Sequence, residues 1–139
     1  MPKPSLRHIA LSVDDPFTTA EFYQQAFEME KVGETDSPLA RGVYLSDGTI
    51  CLAILNFKND RWAGEHGKAY RGIHHMGFWV DDLHASHEMV EAAGAKHFAG
   101  RPDPEDRDLS NTHYEVKYYD PNGIIFDLST TGWVGATRD

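Results

Sequence analysis

The chain has 139 residues, 40% hydrophobic and 25% charged, with a formal net charge of -9; this balance fits one domain over 1–139 with a real core. The acidity argues against nucleic acid or an anionic membrane as partner, since both demand a clustered positive face. The longest apolar run, Ile50 to Leu55, is far too short to span a bilayer, no secretory signal opens the sequence, and the single cysteine, Cys51, fits a reducing, cytoplasmic setting as a buried inert thiol.

In chain order, His-Ile-Ala-Leu-Ser-Val-Asp-Asp at 8–15 reads as a strand closed by two aspartates able to cap a helix. Pro16 suits the first turn of that helix, and Phe17, Ala20, Tyr23 and Phe27 recur at spacings of three and four, giving one apolar stripe. Val43 to Leu45 then leads through Ser46-Asp47-Gly48 into a second strand, Ile50 to Asn56. Asn59 to Gly72, rich in glycine and charge, reads as a linker.

The opening then recurs. His-Met-Gly-Phe-Trp-Val-Asp-Asp at 75–82 overlays 8–15 at an offset of 67 residues, and the same offset places Glu88 on Glu21. Leu83, Val90 and Ala93 make a thinner helical stripe, stopped by Gly94. A polar loop, Arg101 to Ser110, is expected to overhang a site. His113 to Tyr119 runs through the Asp120-Pro121-Asn122-Gly123 turn into Ile124 to Ser129, a hairpin. The reading is two βαβββ modules, 5–58 and 73–131, with a linker at 59–72 and a tail at 132–139.

Strand alternation selects candidate site residues. His8 and His75 occupy equivalent repeat positions; His8 shares a face with Ala10 and Ser12, and Asp127 shares one with Ile125 and Ser129, while Phe126 and Leu128 point toward the helices. An acid inside an apolar strand needs a partner, either a metal or a cation such as Lys117 or an arginine. Alternation also puts Ile50, Leu52 and Ile54 toward the site as apolar substrate contacts. His113, Glu115, Lys117 and Tyr119 share one strand face; they are either acid, base and substrate contacts, or a solvated face. His74 lies one residue off register and is expected to face away. His84, His87 and His97 read as surface residues, and Trp62, Trp79 and Trp133 as packing or dimer contacts.

The paired His…Val-Asp-Asp openings, Glu21-Phe22-Tyr23 in the first helix and the closing Asp-Pro-Asn-Gly strand resemble the vicinal oxygen chelate superfamily of glyoxalase I, methylmalonyl-CoA epimerase, fosfomycin resistance proteins, bleomycin-binding proteins and extradiol dioxygenases. The resemblance implies an α+β fold in which the two modules curl into a cup-shaped mixed sheet with helices on its outer face. It also implies a divalent metal held by the first and last strands of the modules. Position by position, His8 and His75 match two ligands, and Asp127, four residues after Gly123, stands where the family usually has glutamate. Leu52, four after Gly48, stands at the remaining position and cannot bind a metal.

Two histidines and one carboxylate leave coordination positions open, an arrangement suited to Fe2+ or Mn2+ with a bidentate oxygen substrate, with Zn2+ or Ni2+ as alternatives. By ligand count the ring-opening dioxygenases and fosfomycin-type enzymes match better than glyoxalase I or the epimerase. Against them, Lys117 stands roughly where extradiol enzymes have tyrosine, and Ile9 where fosfomycin enzymes have threonine. The expectation is a homodimeric, metal-dependent enzyme acting on a small oxygenated substrate, reaction open; the alternative is a metal-independent small-molecule binding protein of the bleomycin-resistance type.

Overall fold

Asp15, three residues after the first strand, β1 (Ser5–Ser12), starts α1 (Pro16–Phe27): its carboxylate accepts from the amides of Phe17 and Thr18, and Pro16 takes a position where no amide is needed. The computed structural model describes residues 3–102 and 113–138, so most of the expected 101–110 loop lies outside the described residues. After α1 come β2 (Glu30–Asp36), β3 (Ala40–Ser46) and β4 (Cys51–Phe57). The segment expected to be a plain linker contains a single-turn helix, α2 (Asp60–Ala63), capped by the Asn59 side chain. The path then repeats as β5 (Gly72–Trp79), α3 (Leu83–Ala92), β6 (Lys96–Ala99), β7 (Val116–Tyr119) and β8 (Ile125–Ser129). Asp82 caps α3 as Asp15 caps α1. In the β7–β8 turn the Asp120 carboxylate accepts from the amides of Asn122 and Ile124, and Gly123 adopts φ 83°, a conformation glycine reaches without strain. No helix among the described residues is long and apolar enough to cross a membrane.

All eight strands form one mixed sheet in the order β2-β3-β4-β1-β5-β8-β7-β6. Each module keeps its first strand parallel to its last, β1 with β4 and β5 with β8, and the modules meet through antiparallel β1 and β5. At that seam His8 lies opposite Gly77 and Ala10 opposite His75, a reciprocal pairing that relates the halves by a local two-fold. One chain therefore completes the cup by itself.

The helices cover the outer face. Under α1, Ala20 packs on Val43, Leu45 and Ile54, with Leu52 and Tyr23 beside them. Under α3, Leu83 and Val90 meet Val116, Tyr118, Phe126 and Leu128. Of the stripe expected on α1, Phe17 is 37% and Phe27 65% exposed, so Ala20 and Tyr23 carry the contact.

Leu52 and Ile54 thus face α1, not the cup, which overturns their expected role as substrate contacts. The cause is register. Cys51 pairs with His8 and stands three residues after Gly48, whereas Ile125 pairs with His75 and stands two after Gly123. The first turn is one residue longer, and a one-residue slip moves every side chain to the other face. Ala53 is therefore the true counterpart of Asp127, and Cys51, Ala53, Leu55 and Phe57 look into the cup. Alanine cannot ligate a metal either.

Candidate metal centre

Pairing across five strands builds the centre. Cys51, His8, Gly77, Asp127 and Lys117 are consecutive register partners from β4 through β1, β5 and β8 to β7, and His75 stands two residues from Gly77 on β5. This row brings His8 Nε2 to 3.2 Å from His75 Nε2, and Asp127 Oδ2 to 3.3 Å from His75 Nε2 and 3.7 Å from His8 Nε2. His8, His75 and Asp127 are only 4%, 5% and 0% exposed. Burial first, and then His75, pulls His8 down to about 4, and burial holds His75 and His74 below the ordinary range, so all three rings are neutral near pH 7.

Lys117 closes the other side of Asp127. Its Nζ donates to Asp127 Oδ1 at 2.9 Å and lies 3.5 Å from Glu115 Oε1. Burial acts to discharge this ammonium, but Asp127 and Glu115 outweigh it and hold Lys117 up at about 12. Of the partners anticipated for Asp127, the cation is Lys117, which takes Oδ1; Oδ2 is buried with no hydrogen-bond partner and points at the histidines.

The sequence profile of the Glyoxalase/Bleomycin resistance protein/Dioxygenase superfamily matches residues 5–128. The chain belongs to that superfamily. Among solved structures it is similar to a methylmalonyl-CoA epimerase in complex with methylmalonyl-CoA and NH4+ (TM-score 0.71, 19% identity, 98% of this chain and 100% of that one). It is also similar to a single-site variant of the Streptomyces coelicolor methylmalonyl-CoA epimerase in complex with 2-nitronate-propionyl-CoA (0.69, 20%, 91% and 97%). A third is a hypothetical protein from Bacillus halodurans C-125 (0.70, 15%, 99% and 97%). At these identities the likeness shows the fold alone. No curated protein matches the chain in sequence.

Two ligands about 2.1 Å from one ion lie at most about 4.2 Å apart, and the three pairwise separations here satisfy that limit. An unpartnered buried carboxylate oxygen beside two neutral imidazoles is costly unless something positive lies between them. His8, His75 and Asp127 fit a divalent ion; they are the one such group among the described residues.

The centre lies in the wall of a cavity of about 440 Å3. Tyr44, Leu39, Phe57 and Trp62 make its apolar side, and His113, Glu115 and Lys117 its polar side. His113 and Glu115 precede β7 rather than lying on it, yet both reach the cup. His113 Nδ1 donates to the Gly132 carbonyl at 3.1 Å. Tyr119 does not line the cavity: Phe98 stacks on it at 4.8 Å, and Trp62 packs on Phe98 in turn, so its expected catalytic place is taken by a wall. Burial pushes the Cys51 thiol up to about 12, which keeps it protonated.

Two residues go beyond what the sequence indicated. Trp133, expected as packing, stacks on His8 at 4.9 Å and 7° and donates Nε1–H to Glu115 Oε2 at 2.8 Å. His74, expected to face away, reaches His75, because β5 bulges between Ile73 and His75 against β1. Gly77 makes room for the stack: a Cβ there would meet the Trp133 ring at 2.6 Å and His8 Cβ at 3.0 Å. Gly77→Ala is therefore expected to cost about 1–3 kcal/mol by overpacking and to shift tryptophan emission; unchanged urea unfolding and fluorescence would refute the assignment.

Proposed function

We propose that the chain is a divalent-metal-dependent enzyme of the glyoxalase superfamily acting on a small molecule with adjacent oxygens and an apolar body. The observation that carries the reading is the unpartnered Asp127 Oδ2 converging with two neutral histidines at the wall of the cavity. Bound there, Fe2+ or Mn2+, or alternatively Zn2+ or Ni2+, would polarise substrate oxygens and stabilise developing negative charge.

The chain's own residues supply the rest. Lys117 holds Asp127 through Oδ1 and leaves Oδ2 directed at the histidines. His113, its Nδ1 proton given to Gly132, presents Nε2 as a base. Glu115 is fixed between Trp133 and Lys117 and adds negative charge at the polar wall. The aromatic side, Tyr44, Phe57 and Trp62, suits a flat or branched apolar group. Lys117 is the one lysine or arginine lining the described cavity, and two carboxylates already neutralise it.

The test is stoichiometry followed by turnover. Purified protein titrated with Fe2+, Mn2+, Ni2+ and Zn2+ is expected to bind one ion per chain, and the loaded forms are then assayed with catechols, 2-oxoaldehydes and acyl-CoA esters. Failure to bind any of the four ions overturns the enzyme reading. The bleomycin-resistance type of reading, a metal-free binding cup, would then stand, favoured by the Lys117–Asp127 pair and the aromatic wall.

The proposal also places the protein in a reducing, cytoplasmic compartment as a homodimer. Trp62 and Trp133 line the cavity and Trp79 donates to the Thr130 carbonyl, so a dimer contact would draw on other apolar side chains, of which Phe22, Phe27 and Ile73 are exposed. Light scattering showing a monomer at micromolar concentration removes it.

A further inference from the structure

His8 and His75 are equivalent in the repeat, yet they are held by different means. His8 lies flat against Trp133, and its Nδ1 is buried with no hydrogen-bond partner. The ring of His75 is held through a second imidazole. His74 Nδ1 lies 2.8 Å from His75 Nδ1, and His74 Nε2 lies 2.8 Å from the Ala63 carbonyl on α2.

We propose that His74 is a positioning residue: it fixes His75 as the Nδ1–H tautomer, with the bare Nε2 aimed at the metal centre, and anchors that ligand to α2. The proposal rests on the metal reading of His8, His75 and Asp127. With one proton on each ring, the direction of the chain follows from its far end. A carbonyl oxygen only accepts, so His74 carries its proton on Nε2. His74 Nδ1 is then a lone pair, and at 2.8 Å His75 must donate to it. The His75 proton is thereby held on Nδ1, and Nε2 faces His8 Nε2 and Asp127 Oδ2 as a lone pair. A second partner on the distal nitrogen sets both the orientation and the basicity of a ligating imidazole.

The anchor lies on α2, next to residues that line the cavity. Trp62, which lines the cup, precedes Ala63, and Phe57, also lining it, lies 4.4 Å from the His74 ring. A ligand pressing on Trp62 or Phe57 therefore touches the support of one metal-binding nitrogen and not of the other. The short α2 segment, which looks like a spacer between modules, becomes the outer support of the centre.

The test uses 15N-labelled, metal-free full-length chain and long-range proton–nitrogen correlations of the imidazoles. The expected spectrum shows His75 as the Nδ1–H and His74 as the Nε2–H tautomer. In His74→Phe, His75 is expected to lose the pure Nδ1–H signature, and Co(II) affinity, read from visible absorption, to fall about 10- to 100-fold. His74→Asn keeps an acceptor near the Nδ1 position and should recover the tautomer and most of that affinity. A wild-type His75 carrying its proton on Nε2 overturns the proposal without any variant, as does a folded His74→Phe with unchanged tautomer and affinity. Wild type that shows the Nδ1–H tautomer but binds no Co(II) sinks the metal reading while the hold of His74 on His75 stands.

Discussion

Asp127→Asn is expected to lower affinity for Mn2+ or Co2+ by at least about 100-fold, more than loss of an outer hydrogen bond to a ligand costs. The amide matches the carboxylate in size, so the cup should keep its shape; with its one oxygen accepting from Lys117, its NH2 group takes the place of Oδ2 and offers a metal neither charge nor lone pair. The substitution also removes one of two counter-charges from Lys117, whose charge burial opposes. Breaking a buried pair outright costs roughly 3–5 kcal/mol, and Glu115, 3.5 Å from Nζ, keeps the loss below that range. Asp127→Glu separates the two effects: it retains the charge and supplies the side chain usual at this position in the superfamily, and it is expected to bind the ion. Isothermal titration of the three forms decides. Asparagine binding as tightly as aspartate would show that Asp127 serves Lys117 alone.

The two-module path, the caps at Asp15 and Asp82 and the convergence of His8, His75 and Asp127 follow from features a sequence carries plainly: a constant offset between matched openings and strict alternation along short strands. Register across strands is not carried that way. Counting four residues from Gly48 selects Leu52, because nothing local reveals that the first turn is one residue longer than the second. Alternation likewise fails at His74, where a bulge lets one ring turn back toward its neighbour, and bulges leave little trace in residue type. Tyr119 has the parity expected of it, but parity says nothing of Phe98 lying on top. Trp133 follows the last strand in a tail without periodicity; its contact with His8 depends on Gly77, whose missing side chain is the one available hint.

The metal-free protein is expected to lose stability steeply between pH 6.5 and 5. His8 has a folded value near 4 against an unfolded value of 6.5, so in this window the unfolded chain binds more protons than the folded one. Stability then rises with pH: the contribution is complete above about 6.5 and is lost as pH falls toward 4. For His8 alone the full shift corresponds to about 3 kcal/mol, of which about 2 kcal/mol is already lost at pH 5. His75 and His74, both lowered by burial, add losses of the same sign. The exposed carboxylates Asp15, Asp36 and Asp47 are lowered too, but from 3.8, so they act below this window. Urea unfolding of chelator-treated protein at pH 7.5, 6.5 and 5 measures the slope, and His8→Gln should flatten it by the His8 share. A stability that is level from pH 7.5 to 5 would mean that water or a bound cation reaches these imidazoles in the metal-free state, and the dry, neutral pair of histidines on which the centre depends would have to be abandoned.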